Sequence, residues 1–230
     1  MAGGWWEPVR AYCERTGPEV WAEPLNAVSN AAFLVAAVVL WREGRGRRDA
    51  AAAALTALVA VIGVGSTLFH TLAVRWSMLA DVIPIAVFIH AAFLVMVRRL
   101  LGLGAVAGVA ATLAFAAAAA GFEPALSALA GTPLGPVTNG SIDYAPAALA
   151  LVGVGAAGLA AAPPGRRWAG RALVGLGLVF AVSLGARTLD PSLCVAIPFG
   201  THWLWHLLNA VVLYGLVRTA RRLGPASRAT

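Results

Sequence analysis

Charge is scarce in this sequence. Asp, Glu, Lys and Arg make up 12% of its 230 residues, about half the share of an ordinary soluble domain. Lysine is absent, so all 17 basic residues are arginine. No polar stretch is long enough for a soluble domain, and no internal repeat is evident. A cleavable signal peptide is not expected either. The first twenty-odd residues are polar and aromatic (Trp5, Trp6, Glu7, Pro8, Arg10) and lack a basic start followed by an apolar centre. What remains is apolar: 60% of residues are hydrophobic and the mean hydropathy is +0.80. These features exclude a soluble enzyme and predict an integral membrane protein. The net charge of +7 fits basic loops that fix topology and meet lipid headgroups, and nucleic acid is not expected as a partner. Abundant Ala, Gly and Arg without Lys suggests a GC-rich bacterial genome, and so the bacterial inner membrane.

Seven apolar stretches can be read, each near the roughly 20 residues of a crossing. They run Pro24–Trp41, Ala50–Leu72, Trp76–Val97, Leu101–Gly121, Tyr144–Ala162, Trp168–Ala186 and Phe199–Val217. The second and third are joined by a short turn and must be antiparallel neighbours. The connection from Glu123 to Asp143 is the longest and reads as a Gly-, Pro-, Ser- and Thr-rich loop. Thirteen arginines fall on one set of connecting segments and four on the other. Positive residues stay inside, so the N-terminus is expected outside and the C-terminus in the cytoplasm. The fold class is therefore all-α, a bundle of seven transmembrane helices. Residues 1–22 form an extracytoplasmic segment, 23–218 the transmembrane domain and 219–230 a cytoplasmic basic tail. The Ala and Gly of the spans let helix backbones approach closely in lipid.

Ionisable residues within a span are costly and by default mark function. Here they gather at one depth. Ser66 and His70 lie one turn apart at the outer end of the second span. Asp81 lies just across the turn, and His202 and His206 one turn apart at the outer start of the seventh. Three neutral imidazoles suit zinc and leave a fourth position for water, whose pKa the ion lowers to about 7. Asp81 can then take the water's proton and Ser66 can donate to an oxyanion. The competing reading is a polar packing network without metal. His90, alone in mid-span, reads as structural. Asn26, Ser29 and Asn30 read as interhelical hydrogen-bonders. Glu23, with Glu14 nearby, offers carboxylates for calcium beside backbone carbonyls. Cys13 and Cys194 both fall on the outer, oxidising face, where a disulfide or free thiols are open to them.

The combination Ser66-x3-His70, Asp81 and His202-x2-Trp205-His206 resembles the alkaline ceramidases. They belong to a superfamily of seven-span membrane hydrolases that includes the progestin and adipoQ receptors. Cys13-Glu14 followed by Glu23-x2-Asn26-x2-Ser29-Asn30 resembles the family's N-terminal signature. Asp190-x3-Cys194 before Thr201-His202 resembles the approach to its last span. The resemblance implies catalytic zinc on His70, His202 and His206, Asp81 as acid/base and Ser66 as supporting hydroxyl. It also implies a Cys13–Cys194 disulfide, and calcium held by Glu14, Glu23 and the Tyr12 carbonyl. Two calcium-ligand positions of eukaryotic members depart, being Ala11 and Thr16 here. The implied reaction is hydrolysis of the N-acyl amide of ceramide, or of a ceramide-like membrane lipid, near the outer leaflet. A receptor-like bundle that binds zinc or lipid without turnover is the alternative. A transporter is disfavoured, because the ionisable groups cluster at one side.

Overall fold

A computed structural model describes residues 4–225. Residues 1–3 and 226–230, including Arg228 of the expected basic tail, lie outside the described residues. Every regular element among the described residues is helical, apart from an isolated bridge between Pro8 and Val74. The α-helices are α1 (Pro24–Ser29), α2 (Ala31–Gly44), α3 (Ala50–Leu72), α4 (Arg75–Arg99), α5 (Ala105–Ala130), α6 (Leu134–Val137), α7 (Ala145–Ala161), α8 (Arg167–Leu193) and α9 (His202–Leu223).

Six segments are long and apolar enough to cross a membrane: Pro24–Gly44, Ala50–Leu72, Arg75–Arg99, Ala105–Ala130, Ser141–Ala161 and Pro164–Leu193. They mark an integral membrane protein. The last helix, α9, is 22 residues long, but His202, His206, Asn209, Arg218, Arg221 and Arg222 lower its hydropathy and it is not among the six. The expected long loop from Glu123 to Asp143 needs correction. Helix α5 continues through Pro124 to Ala130, and α6 and a 3₁₀ turn (Ser141–Tyr144) follow. Glu123 holds this corner by accepting from the Ser127 hydroxyl (2.6 Å) and the Gly135 N–H (3.3 Å). Helix α8 likewise runs a further two turns past Ala186.

Local chemistry sets the ends. Asp49 caps α3 by accepting from the Ala52 N–H. Ala73, in the left-handed region (φ 45°), ends the helix and starts the tight turn into α4. Gly131 (φ 67°) ends α5.

Packing places α2 between α3 and α9, and α8 between α7 and α9, while α4 packs against α3 and α5. Small residues decide how close these helices come. A Cβ on Gly155 of α7 would stand 2.9 Å from the Gly170 carbonyl oxygen of α8, and one on Gly170 would stand 2.7 Å from the Gly155 oxygen. At the end remote from the histidines, Arg99 of α4 grips Asp49 with both terminal nitrogens (2.7 Å each) and donates to the Ala220 carbonyl of α9. This ties three helices together. Between the helices lies an apolar cavity. Phe33, Ile62, Phe88, Met96, Leu151 and Leu216 line parts of it, and Trp205 and Asn209 of α9 also face it.

The N-terminal segment lies over the other end of the bundle. The Val9 N–H donates to the Ala73 carbonyl, and the Arg75 N–H to the Glu7 carbonyl. Cys13 is joined to Cys194 by a disulfide, which ties this segment to the end of α8.

Candidate metal centre

Two helix termini bring the three histidines together. His70 lies in the last turn of α3, His202 is the first residue of α9, and His206 follows one turn later. All three are buried. The ring centroids stand 5.1 Å apart for His70–His202, 4.7 Å for His70–His206 and 4.6 Å for His202–His206. One nitrogen from each ring lies within 4.8 Å of the others. It is the one group of three or more His, Cys, Asp or Glu side chains among the described residues that is arranged to hold a metal ion.

The neighbours of the rings set which nitrogens face inward. The Glu23 carboxylate lies 2.6 Å from His70 Nδ1. A carboxylate oxygen accepts there, so Nδ1 carries the proton and Nε2 keeps its lone pair. Ser29 donates its hydroxyl hydrogen to the Asn26 carbonyl (2.9 Å) and so accepts from His206 Nδ1 (2.7 Å), which again frees Nε2. His70 Nε2, His206 Nε2 and His202 Nδ1 are buried with no hydrogen-bond partner. A buried polar atom left unpaired costs about 1–3 kcal/mol. Three of them in one cluster fit a cation that takes lone pairs, and imidazole with an outer carboxylate or hydroxyl is a zinc donor set.

Tyr12 covers His202. The rings stack at a centroid distance of 3.5 Å and 15° between planes. Arg187 donates to the Tyr12 hydroxyl (2.7 Å) and lies over the rings of Tyr12, Tyr144 and Trp205. Burial pushes the Tyr12 phenol well above its ordinary range, against the pull of Arg187, so the ring stays neutral. Asp190 sets where α9 begins. One carboxylate oxygen accepts from the Thr201 (2.6 Å) and His202 (2.9 Å) N–H groups, and the other from the Cys13 N–H (3.0 Å). Gly200, at φ 63°, is needed beside it, because a Cβ there would stand 2.0 Å from that carboxylate.

Asp81 and Ser66 are both buried. Ser66 and His70 are neighbours of the Asp81 carboxylate, whose Oδ1 has no hydrogen-bond partner. Close approach of α3 and α4 puts them there. A Cβ on Gly65 would stand 2.0 Å from the Ala80 carbonyl oxygen and 3.3 Å from the Asp81 Cα. Gly65→Ala must therefore push the two helices apart, at an overpacking cost of about 1–3 kcal/mol. Thermal unfolding of the variant should shift down by several degrees. A variant that melts as wild type does would show that the helices need no glycine at this crossing.

Other residues have other tasks. His90 donates to or accepts from nothing in the cluster; its Nδ1 lies 2.8 Å from the Ala86 carbonyl one turn back. Ser29 does bond between helices, whereas Asn26 and Asn30 bond locally, to Glu23 and to the Asn26 carbonyl. The residues expected to ligate calcium are engaged with the chain itself. Glu14 accepts from the Leu25 (2.6 Å) and Asn26 (2.8 Å) N–H groups at the start of α1. Glu23 accepts from Arg15, His70 and Asn26. The Tyr12 carbonyl accepts from the Arg15 N–H (3.3 Å). The supporting roles of Glu23, Ser29, Asp190, Tyr12 and Arg187 around the histidines have no local sequence signal. The Glu23-x2-Asn26-x2-Ser29 and Asp190-x3-Cys194 patterns marked Glu23, Ser29 and Asp190 as parts of family signatures, without these roles.

No curated protein matches the chain. The sequence model of the ceramidase family matches residues 11–126, from the N-terminal segment into α5. This stretch holds Cys13, Glu23, Ser66, His70 and Asp81, and the structure completes the cluster with His202 and His206 from outside it. The match takes in just over half of the sequence, and the chain belongs to the ceramidase family.

Proposed function

We propose that this protein is a zinc-dependent intramembrane amidase that hydrolyses the N-acyl bond of ceramide or a ceramide-like lipid, releasing a fatty acid and a free amine lipid. The observation that carries this reading is the cluster of three buried, unpartnered imidazole nitrogens beside Asp81. Family membership supplies the reaction class. His70, His202 and His206 hold the ion, with Glu23 and Ser29 keeping the inner nitrogens of His70 and His206 free of protons. Bound zinc would supply Lewis acidity toward the carbonyl and toward water. Asp81 accepts the proton of the attacking water and delivers one to the departing nitrogen. The hydroxyl of water ends on the acyl carbon as the C–N bond breaks. Ser66 supports Asp81 and donates toward the carbonyl oxygen as charge develops on it. The apolar cavity reached from Trp205 and Phe33 holds the acyl chain.

The same reading makes α9 the seventh span. Its 22 residues extend about 33 Å at 1.5 Å per residue, enough for a hydrocarbon core of about 30 Å. Its arginines then lie at the cytoplasmic end and the histidines near the outer leaflet, with the N-terminal segment outside. On this reading the outer segment is residues 1–22, and the basic region from residue 219 begins within the last turn of α9, which runs to Leu223.

The test is metal content and fatty-acid release of the detergent-purified protein beside His202→Ala and His206→Ala. The expected result is about one zinc per chain in wild type, lost in both variants along with turnover. A folded wild type without zinc would return these histidines to helix packing. Zinc without release of fatty acid from any N-acyl lipid would make the protein a receptor-like binder.

A further inference from the structure

Arg15 is buried among oxygen atoms. Its guanidinium pairs with one oxygen of the Glu23 carboxylate. It also donates to four backbone carbonyls: Gly17 (3.3 Å), Glu19 (3.2 Å), His70 (2.9 Å) and Thr71 (3.4 Å). Five oxygens from two distant parts of the chain thus converge on one positive group. A carboxylate surrounded by carbonyls is the donor set of a hard divalent cation such as calcium, which takes six to eight oxygens. Planar guanidinium, with five N–H donors, satisfies such a set by hydrogen bonds instead. The Glu14 carboxylate is taken by backbone N–H groups of α1, and Glu19, whose carbonyl Arg15 holds, is exposed.

We propose that Arg15 is a built-in cation that stands in place of a divalent ion, locking the N-terminal segment to the end of α3 without calcium. The lock has two arms. Through the His70 and Thr71 carbonyls it fixes the backbone of the turn that carries a histidine of the cluster. Through Glu23, whose second oxygen meets His70 Nδ1, it fixes that imidazole ring. Arg15 is therefore a positioning residue for His70. This second arm rests on the zinc reading, whereas the calcium replacement does not, and the two are measured separately.

The consequence is that wild type ignores calcium and that removing the guanidinium creates a need for it. Truncation in Arg15→Ala leaves a buried carboxylate and four carbonyls around a vacated space. Breaking a buried ion pair from one side is strongly destabilising, so the melting temperature should drop by roughly 10 °C. The experiment uses the full-length, zinc-loaded protein in detergent, wild type and Arg15→Ala. Each is incubated with millimolar CaCl2 or MgCl2, desalted, and assayed for bound metal and thermal unfolding. Wild type should hold no calcium and show no shift. Arg15→Ala should hold calcium and regain at least half of its lost melting temperature with CaCl2 but not with MgCl2. Zinc content of the variant, measured alongside, should fall without calcium and recover with it if the arm through Glu23 acts on His70. If Arg15→Ala does not fold, Arg15→Gln, a neutral side chain whose amide still offers two donors, carries the same comparison. Wild type that retains calcium or is stabilised by it overturns the proposal. So does a folded variant that is indifferent to calcium.

Discussion

Asp81→Ala is expected to keep about one zinc per chain while releasing fatty acid about 1,000-fold more slowly than wild type, within the span of a lost general acid–base group. The three histidines come from α3 and α9, and the partners that orient them, Glu23 and Ser29, come from the start of the first span. None of these contacts involves Asp81. Its carboxylate sits on α4 with Oδ1 unpartnered and with His70 and Ser66 as polar neighbours. That is the environment of a group kept available for a proton. Metal analysis of the purified variant and a fatty-acid assay read both halves of the prediction. Loss of zinc together with activity would make Asp81 chiefly a ligand. Unchanged turnover would remove it from the chemistry.

The second large effect is expected at a residue that holds the backbone of the cluster rather than its rings. Asp190→Ala should lower the melting temperature by about 10 °C or more and strip the protein of zinc. The side chain is fully buried and its two oxygens accept from three backbone N–H groups, of Thr201, His202 and Cys13. Each N–H left without a partner costs about 1–3 kcal/mol. The negative charge at the start of α9 is lost as well, with the 0.3–1 kcal/mol or so that it contributes there. Because His202 is the first residue of α9, a frayed start moves a ligand. Asp190→Asn keeps one acceptor oxygen and exchanges the other for a donor, so it should fall between wild type and alanine in both measurements. If Asp190→Ala melts as wild type does and holds its zinc, the disulfide between Cys13 and Cys194 suffices to place this corner. The account of Asp190 would then be wrong.

Much of the architecture was legible because lipid imposes a length. A run of about 20 apolar residues has no cheaper arrangement than a helix that satisfies its own backbone, so the expected stretches and the observed helices coincide closely. The exceptions lie where polar residues interrupt the apolar pattern. Pro124 and the polar residues after it read as a loop, yet α5 runs on because Glu123, Ser127 and Gly135 bond one another at the corner. The last stretch falls outside the six apolar segments because it carries His202, His206, Asn209 and three arginines.

The cluster itself was legible through spacing. His202 and His206 must share a helix face, and the short turn after His70 must return the chain to Asp81 at the same depth. What surrounds the cluster was not. Glu23 reaches His70 across 47 residues, Ser29 reaches His206 across 177 and Arg15 reaches the His70 carbonyl across 55. In the sequence Glu23 looked like a calcium ligand and Arg15 like one more outer arginine. The sequence by itself determined that the chain is a helical membrane protein with three histidines and an aspartate at one level, because periodicity and hydropathy act locally. Only the tertiary structure decided which nitrogens point inward, which carboxylates are already taken and where α9 begins. Those depend on side chains that meet only when the N-terminal segment has folded over the end of the bundle.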